Sequence, residues 1–560
     1  MNAAPLVLGI NRTQDASICL MHGSQLAWAI QKERLTRQKH HWGRTGDLAA
    51  IYAPRLPGLD QPLDVLVECY SSDPEQDKLA VYEQEIASSL RMASQSQRIR
   101  ISHHLAHVYS AFHPSPFASA AVMIVDGQGS AVSALTEHWT GASAVPGHWC
   151  EVASFYHADR ARVHCLAKQV WDRDDQHLVG LGMFYFLLTQ AIFPGHGNEG
   201  KVMGLAPHGN PAALGLPPLQ VDGCQVTIPA AWTSMLHARG RFRYAEQAAT
   251  GFADIAALAA AGQRAFEDAL VKVARWLQRE SGAEDLCFAG GTALNCSANQ
   301  RLLRESGFRR LFIPPAPSDA GTALGCAVYG LTEVAGQPCH FRWEHDYLGP
   351  EQSVADIDLV LAGARDLRID CLDQATAMRT RIVDLIEDGQ VVGLFQGRSE
   401  FGPRALGHRS ILADPRPAAM RERINSQVKQ REWFRPLAPV VLLEHAERYF
   451  DISTASPFMQ FAAPVRADAA GAIAAVTHVD CSARLQTVGP HDDPLLRGLL
   501  QTFYERSGIP VLLNTSFNGK DEPIVETAAE ALHTFRHTPM DALVMPPYLI
   551  RKPHMSDRPA

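Results

Sequence analysis

The chain has 560 residues, of which 46% are hydrophobic and 20% charged, the balance of a globular protein with room for about two to four domains. Its formal net charge of -8 excludes a surface built as a whole to bind nucleic acid or an anionic membrane. The 11 cysteines include no C-x-x-C pair, which argues against a zinc ribbon or a disulfide framework and for reduced thiols in a cytoplasm.

The N-terminus, "MNAAPLVLGINRTQDAS", has no basic region and too short an apolar run for a signal peptide, and no stretch is long enough to span a bilayer. Its runs "LVLGIN", "ASICLMHGS" and "QLAWAIQKER", separated by Gly, Asn and Asp, predict an antiparallel meander. Residues 102–112, "SHHLAHVYSAF", follow; in a helix His103 and His107 stand at i and i+4, one turn apart on one face, the spacing a metal ion wants. His104 points elsewhere on that helix, to the surface or behind the ligands. "AAVMIV" is apolar at every position, as a strand buried on both faces would be, and places Asp126 at its C-terminal end.

Farther along, "GNEGKVMGLAPHGN", with Lys201, and "GGTALN", with Gly290, Gly291 and Asn295, read as glycine turns able to admit a nucleotide's phosphates. Between them "AFEDALVKVARWLQRE" puts Phe266, Leu270, Val273, Ala274 and Leu277 on one helical stripe. "DLCFAGGTALNCSAN" then reads as strand, turn and helix, and "RLFIPPAPSDAGTALGCAVYG" as strand, loop and a helix beginning near Asp319. Asp126 and Asp319 at strand ends complete, with His103 and His107, a set suited to Fe(II), Mn(II) or Zn(II). Such alternation predicts an α/β domain with a ligand crevice at the strand ends.

Residues 333–353 lose periodicity and gain Gly, Pro and charge, marking a linker between domains of residues 1–345 and 346–560. The second domain opens with a helix, "ATAMRTRIVDLIEDG", and a strand, "QVVGLFQG". From Arg398 to Arg435 nine Lys or Arg stand against four acids, a local excess suited to phosphate recognition through guanidinium forks and glycine backbone. For residues 416–432 a solvated helix face explains the charge equally well. Downstream, Arg484 follows a strand, and "IPVLLNTSFNGKDEPIV" ends a strand in Asn514, Thr515, Ser516 and Asn518, which suit phosphate or carbonyl oxygens as well as a simple turn. There is no tandem repeat or low-complexity tract, the tail "KPHMSDRPA" is expected to fray, and residues 140–180 and 210–250 read as loops that select substrate.

In this order "HHLAH", "VDGQGS", "GKVMGLAPHG", "GGTALN", "PSDAGTALG", "GRSEFGPRALGHRSILADPR", "FRPLAPVV" and "LNTSFNGKDEPIV" cover nearly the whole chain. Together they resemble the O-carbamoyltransferases of antibiotic and nodulation-factor biosynthesis, including the tobramycin and cephalosporin enzymes. The resemblance implies an N-terminal actin-like ATPase domain, as in the tRNA threonylcarbamoyl transferases, and a C-terminal YrdC/Sua5-like α/β domain. It implies that the second domain makes carbamoyl adenylate from carbamoyl phosphate and ATP with Mg2+, and that the first passes the carbamoyl group to a small-molecule hydroxyl. It places an iron-type centre on His103, His107, Asp126 and Asp319. Anion and ATP contacts fall on Arg398, Arg404, His408, Arg409, Ser410, Lys429, Arg431, Arg435, Arg484 and Asn514, with Arg404 and Arg435 acting in catalysis. A homodimer is plausible, and neither nucleic acid nor membrane is an expected partner.

The chain departs from the pattern in three places. Gln14 stands where the family carries a histidine proposed as the acceptor's base, Gln31 and Lys32 stand where acids are expected, and Cys481 replaces a usual glycine. Glutamine is no general base, leaving Asp15, His40 or His41 as substitutes, an amine acceptor, or late proton loss that needs no base. Two other readings compete: a HypF-type maturation factor, whose acylphosphatase module and C-x-x-C motifs are absent here, and a regulatory protein that senses ATP without turnover.

Overall fold

The computed structural model describes residues 4–71, 76–174, 177–238, 240–245 and 251–553. Two compact units emerge, residues 1–36 with 40–344 and residues 37–39 with 345–560. Both mix helices with sheets.

The first unit begins with the expected meander, β1 (Leu6–Asn11), β2 (Ser17–His22) and β3 (Gln25–Gln31), paired antiparallel. On the other side of β1, β4 (Leu63–Tyr70) and β5 (Met92–Ser102) add in parallel, giving the order β3-β2-β1-β4-β5. The second sheet repeats this plan. There β6 (Ser119–Val125), β7 (Cys150–Asp159) and β8 (Val163–Trp171) form an antiparallel meander. A small hairpin of β9 (Gln220–Asp222) and β10 (Gln225–Thr227) intervenes. Then β11 (Asp285–Ala289) and β12 (Arg310–Phe312) pair in parallel beyond β6. The topology is duplicated although the sequence shows no repeat, because strand order needs only matching patterns of apolar runs and turns.

Helix His103–Ala111 packs against helix Thr322–Tyr329, and their backbones approach so closely that a Cβ on Gly325 would lie 1.8 Å from the Ala106 carbonyl oxygen. The small residues of "GTALGCAVYG" are therefore what lets the histidine helix lie beside Asp319. Helix Phe252–Ser281 buries its stripe Phe266, Leu270, Val273, Ala274 and Leu277, the larger side chains contributing about 2 kcal/mol each.

In the second unit, β13 (Arg368–Cys371), β14 (Val392–Phe395), β15 (Arg409–Ala413) and β16 (Ala438–Leu442) precede a small pair, β17 (Ala462–Pro464) and β18 (Ser482–Arg484). The strands β19 (Gln486–Val488), β20 (Val511–Ser516), β21 (Ala542–Met545) and β22 (Tyr548–Arg551) complete a mixed sheet ordered β13-β22-β21-β14-β15-β20-β16-β19. Helices Ala375–Glu387 and Pro494–Ser507 cover one face, where Met378, Ile382, Ile386, Leu496, Leu499 and Phe503 meet Val392, Leu412, Val440 and Leu512.

Three expectations need correction. Residues 140–180 hold β7 and β8, and 210–250 hold the β9–β10 hairpin and helix Ala230–Leu236, so neither is simply a loop; 175–176, 239 and 246–250 lie outside the described residues. In "GNEGKVMGLAPHGN" Gly197 turns with φ +77°, but Gly200, Lys201 and Gly204 belong to helix Glu199–Leu205. Its small residues and amphipathic spacing favour helix over phosphate turn. Residues 416–432 are not merely a solvated face: after helix Ala419–Arg423, a π-helical turn buries Ile424, Asn425 and Val428. Of the tail, 554–560 lie outside the described residues.

Candidate functional site

In the first unit, Ser102 ends β5 and caps the next helix, its hydroxyl accepting from the Leu105 N–H at 3.2 Å. His103 and His107 then project from one helical face with Nε2 atoms 3.2 Å apart. Asp126, at the end of β6, reaches both: its Oδ2 lies 3.2 Å from His103 Nε2 and 3.3 Å from His107 Nε2. Asp319, at the N-terminal end of the small-residue helix, brings Oδ1 to 3.3 Å from His103 and 3.9 Å from His107. The "GGTALN" turn supports the group, since Gly291 N–H donates to Asp126 Oδ1 at 3.1 Å. Asn295 is a helix cap, accepting from Ala298 N–H and exchanging amide bonds with Gln263.

These four ligand atoms fit a metal ion. Ligands about 2.1 Å from a common ion are separated by about 3.0 Å along an octahedral edge and about 3.4 Å along a tetrahedral one. The closest separations here, 3.2 and 3.3 Å, fall between those values. All four residues are buried and their ligand atoms lie within 4.8 Å of one another. Without an ion the charges sort themselves. Burial opposes a charged His103, yet Asp319 and Asp126 raise it well above the ordinary imidazole range. Burial likewise opposes ionised Asp126, but the two imidazoles hold it well below the usual carboxylate range. Burial lifts Asp319 to about 7, against His103 and with the help of the Asp126 charge. His104 is not a surface group: it is fully buried, with Nδ1 2.7 Å from Ser154 Oγ.

Beside this group, Asn11 Nδ2 donates to the backbone oxygens of Gln14, Asp15 and Asp319, tying the β1–β2 turn to the ligand loop. His40 Nδ1 lies 2.8 Å from Asp15 Oδ1 and its N–H donates to Glu33. Burial would depress His40, but Asp15, Glu33 and Glu199 raise it to about 9. Glu33 and Glu199 were not legible as part of this cluster, because nothing in their spacing marks them. His41 instead pairs with the Thr36 hydroxyl at 2.7 Å. Lys32, where an acid was expected, is buried against Asp47 at 2.8 Å. Lys201 lies over the Phe193 ring, with Nζ 5.7 Å from its centroid.

The cation-rich stretch of the second unit divides into structural and clustered groups. Arg409 is fully buried and donates to the carbonyls of Gln396, Gly397, His408 and Glu526, which ties together the backbone of its own unit. Arg398 donates to Leu348 and Gly349 carbonyls, and His408 bridges the Arg398 carbonyl and Asp493 while stacking on Tyr347 at 3.4 Å. Ser410 Oγ accepts from Gly407 N–H. Arg416 pairs with Asp414 and Arg423 with Asp541, while Arg404 is half-buried in the segment between β14 and β15.

Lys429, Arg431, Arg435 and Arg484 gather instead. Burial and the neighbouring Arg431 and Arg435 push Lys429 well below the ordinary lysine range. Arg431 is depressed by burial and by Arg435 and Arg484, and Arg435 by burial and Arg484 against the opposing Glu432. Glu432 lies 3.7 Å from Arg435. Lys429 Nζ donates to Ser516 and Asn518 at the end of β20. Thr515 precedes Ser516 in β20, opposite Ile411 in β15. Asn514 is fully buried, and its Nδ2 donates to Ala405 O and Gln486 Oε1. Cations crowded in this way repel one another, and an added anion among them offsets that repulsion beyond what Glu432 supplies.

Family models described as Carbamoyltransferase N-terminus and Carbamoyltransferase C-terminus match residues 67–328 and 383–552. Nodulation protein NolNO of Sinorhizobium fredii is 36% identical over 464 residues, covering 81% of this chain and 64% of that protein. Nodulation protein NolO of Bradyrhizobium diazoefficiens is 34% identical, covering 81% of this chain and 79% of that one. The 3'-hydroxymethylcephem-O-carbamoyltransferase of Amycolatopsis lactamdurans is 38% identical over 270 residues, 48% of each chain. Among the described residues no helix is long and apolar enough to cross a membrane.

Proposed function

The chain belongs to the carbamoyltransferase family, and on that premise we propose that it carbamoylates a hydroxyl of a small natural product in two steps, the first of which consumes ATP. In the first, water hydrolyses carbamoyl phosphate to carbamate and phosphate; the carbamate oxygen attacks the α-phosphorus of ATP with Mg2+, and pyrophosphate leaves. In the second, the acceptor oxygen attacks the carbamoyl carbon, the bond to AMP breaks, and the acceptor proton is lost. The observation that carries this reading is the gathering of Lys429, Arg431, Arg435 and Arg484, whose mutual repulsion calls for polyanionic ligands of the kind the first step uses.

The second step is assigned to the first unit, whose doubled sheet supports the actin-like reading; the YrdC/Sua5-like reading of the second unit is part of the proposal. His103, His107, Asp126 and Asp319 would hold a divalent transition metal, Fe(II) or a similar ion, which when bound supplies a Lewis acid for the developing negative charge. The Asp15–His40 pair beside them is assigned the proton handling that Gln14 cannot supply, with Asp15 as the acceptor, because His40, raised to about 9, is already protonated at neutral pH.

The test is pyrophosphate release from ATP. We expect it to require carbamoyl phosphate and to accompany carbamoylation of hydroxylated acceptors supplied with labelled carbamoyl phosphate. ATP binding without turnover would favour a regulatory protein and overturn the reading.

A further inference from the structure

We propose that Glu151, Glu137 and Lys168 are positioning residues that fix the N-terminus of helix His103–Ala111 and thereby place its two imidazoles against Asp126 and Asp319. The proposal rests on the metal reading of that helix. A helix N-terminus leaves its first N–H groups without partners inside the helix. Here three successive ones each meet a different side-chain acceptor. His103 N–H donates to Ser130 Oγ at 2.9 Å, His104 N–H to Glu151 Oε1 at 3.1 Å and Leu105 N–H to Ser102 Oγ at 3.2 Å. Glu151 Oε1 also accepts from Ser130 N–H at 3.2 Å, so one carboxylate holds both the helix start and the loop that caps it.

Behind these acceptors stands a closed network. Lys168 Nζ, from β8, donates to Glu151 Oε2 at 2.6 Å, Glu137 Oε1 at 3.0 Å, Ser154 Oγ at 3.0 Å and the Tyr156 hydroxyl at 2.9 Å. Glu137 Oε1 in turn accepts from Ser102 Oγ at 3.0 Å, which links the same lysine to the capping serine. The side chains of Lys168 and Glu151 are fully buried. One lysine against two carboxylates leaves a net negative charge at the positive end of the helix dipole. Stability alone does not call for this arrangement, because apolar side chains of similar volume commonly replace buried ion pairs without loss. Charge-assisted bonds to particular backbone N–H groups fix direction, which apolar packing would not do.

The test is titration of the full-length metal-free protein with Co2+, whose visible absorption reports ligand geometry. Wild type should bind one Co2+ per chain, and His103→Ala should abolish it. Folded Glu151→Gln and Lys168→Met should weaken Co2+ binding by about tenfold to a hundredfold and change the absorption bands, with Lys168→Arg closer to wild type than Lys168→Met. A folded Glu151→Gln protein with wild-type affinity and spectrum overturns the proposal. If Glu151→Gln does not fold, Ser130→Ala, which removes one N–H acceptor, decides by the same criterion. Failure of wild type to bind Co2+, or unchanged binding by His103→Ala, removes the metal reading and the proposal with it.

Discussion

Cys481 has φ +58°, a left-handed backbone that costs a residue with a side chain about 1 kcal/mol or more. The glycine expected at this position from the family pattern would adopt it without that cost. Cys481→Gly should therefore be neutral to stabilising by up to about 1 kcal/mol after its own chain entropy is counted, and Cys481→Val destabilising, as read from denaturant midpoints. The Asp15–His40 pair makes a pH prediction. Because the folded His40 titrates at about 9, above the ordinary value of about 6.5, its pairing contributes stability fully present below about 6.5 and lost as pH rises through about 9. Asp15→Asn should lower the unfolding midpoint at neutral pH, with the two proteins converging above about pH 9. A constant difference across that range would separate Asp15 from His40. Which residues would face His40 was not readable in advance, since Glu33 and Glu199 reach it through tertiary packing. His103 and His107 were readable from their i, i+4 spacing, and Asp126 and Asp319 from their places at element ends, both of which are local pattern.

At the scale of elements, periodicity served best where a segment is buried uniformly. The opening meander, the all-apolar β6 and the stripe of helix Phe252–Ser281 all announce themselves through the spacing of their apolar residues. It failed on residues 140–180, where β7 and β8 alternate buried apolar with buried polar groups such as Glu151, Ser154 and Lys168. Polar residues satisfied inside a sheet look like loop residues until their partners are known. The strand-to-turn junction after β11 offers an element-level test. Gly290 has φ +94° and an added Cβ would meet the Val125 carbonyl oxygen at 2.3 Å, so Gly290→Ala must push the turn away from the end of β6. It should cost about 2 kcal/mol or more and weaken Co2+ binding, since Gly291 N–H holds Asp126. Wild-type stability and Co2+ affinity in that variant would mean that the turn does not support the ligand group.

For the whole molecule, the motifs located both chemical groups, but not the duplicated sheet of the first unit or the mixed strand order of the second, because long-range pairing is not written in local pattern. They do not show how the cations divide: Arg409 donates to the backbone of its own unit, whereas Lys429, Arg431, Arg435 and Arg484 form a cluster. The account assigns activation to one unit and transfer to the other. Its most direct test measures pyrophosphate release and acceptor carbamoylation together in Arg484→Ala and His103→Ala. The account predicts that Arg484→Ala loses both signals and regains transfer when carbamoyl adenylate is supplied, while His103→Ala still releases pyrophosphate but leaves the acceptor unmodified. Loss of pyrophosphate release in a folded His103→Ala protein, or full release in Arg484→Ala, would contradict it.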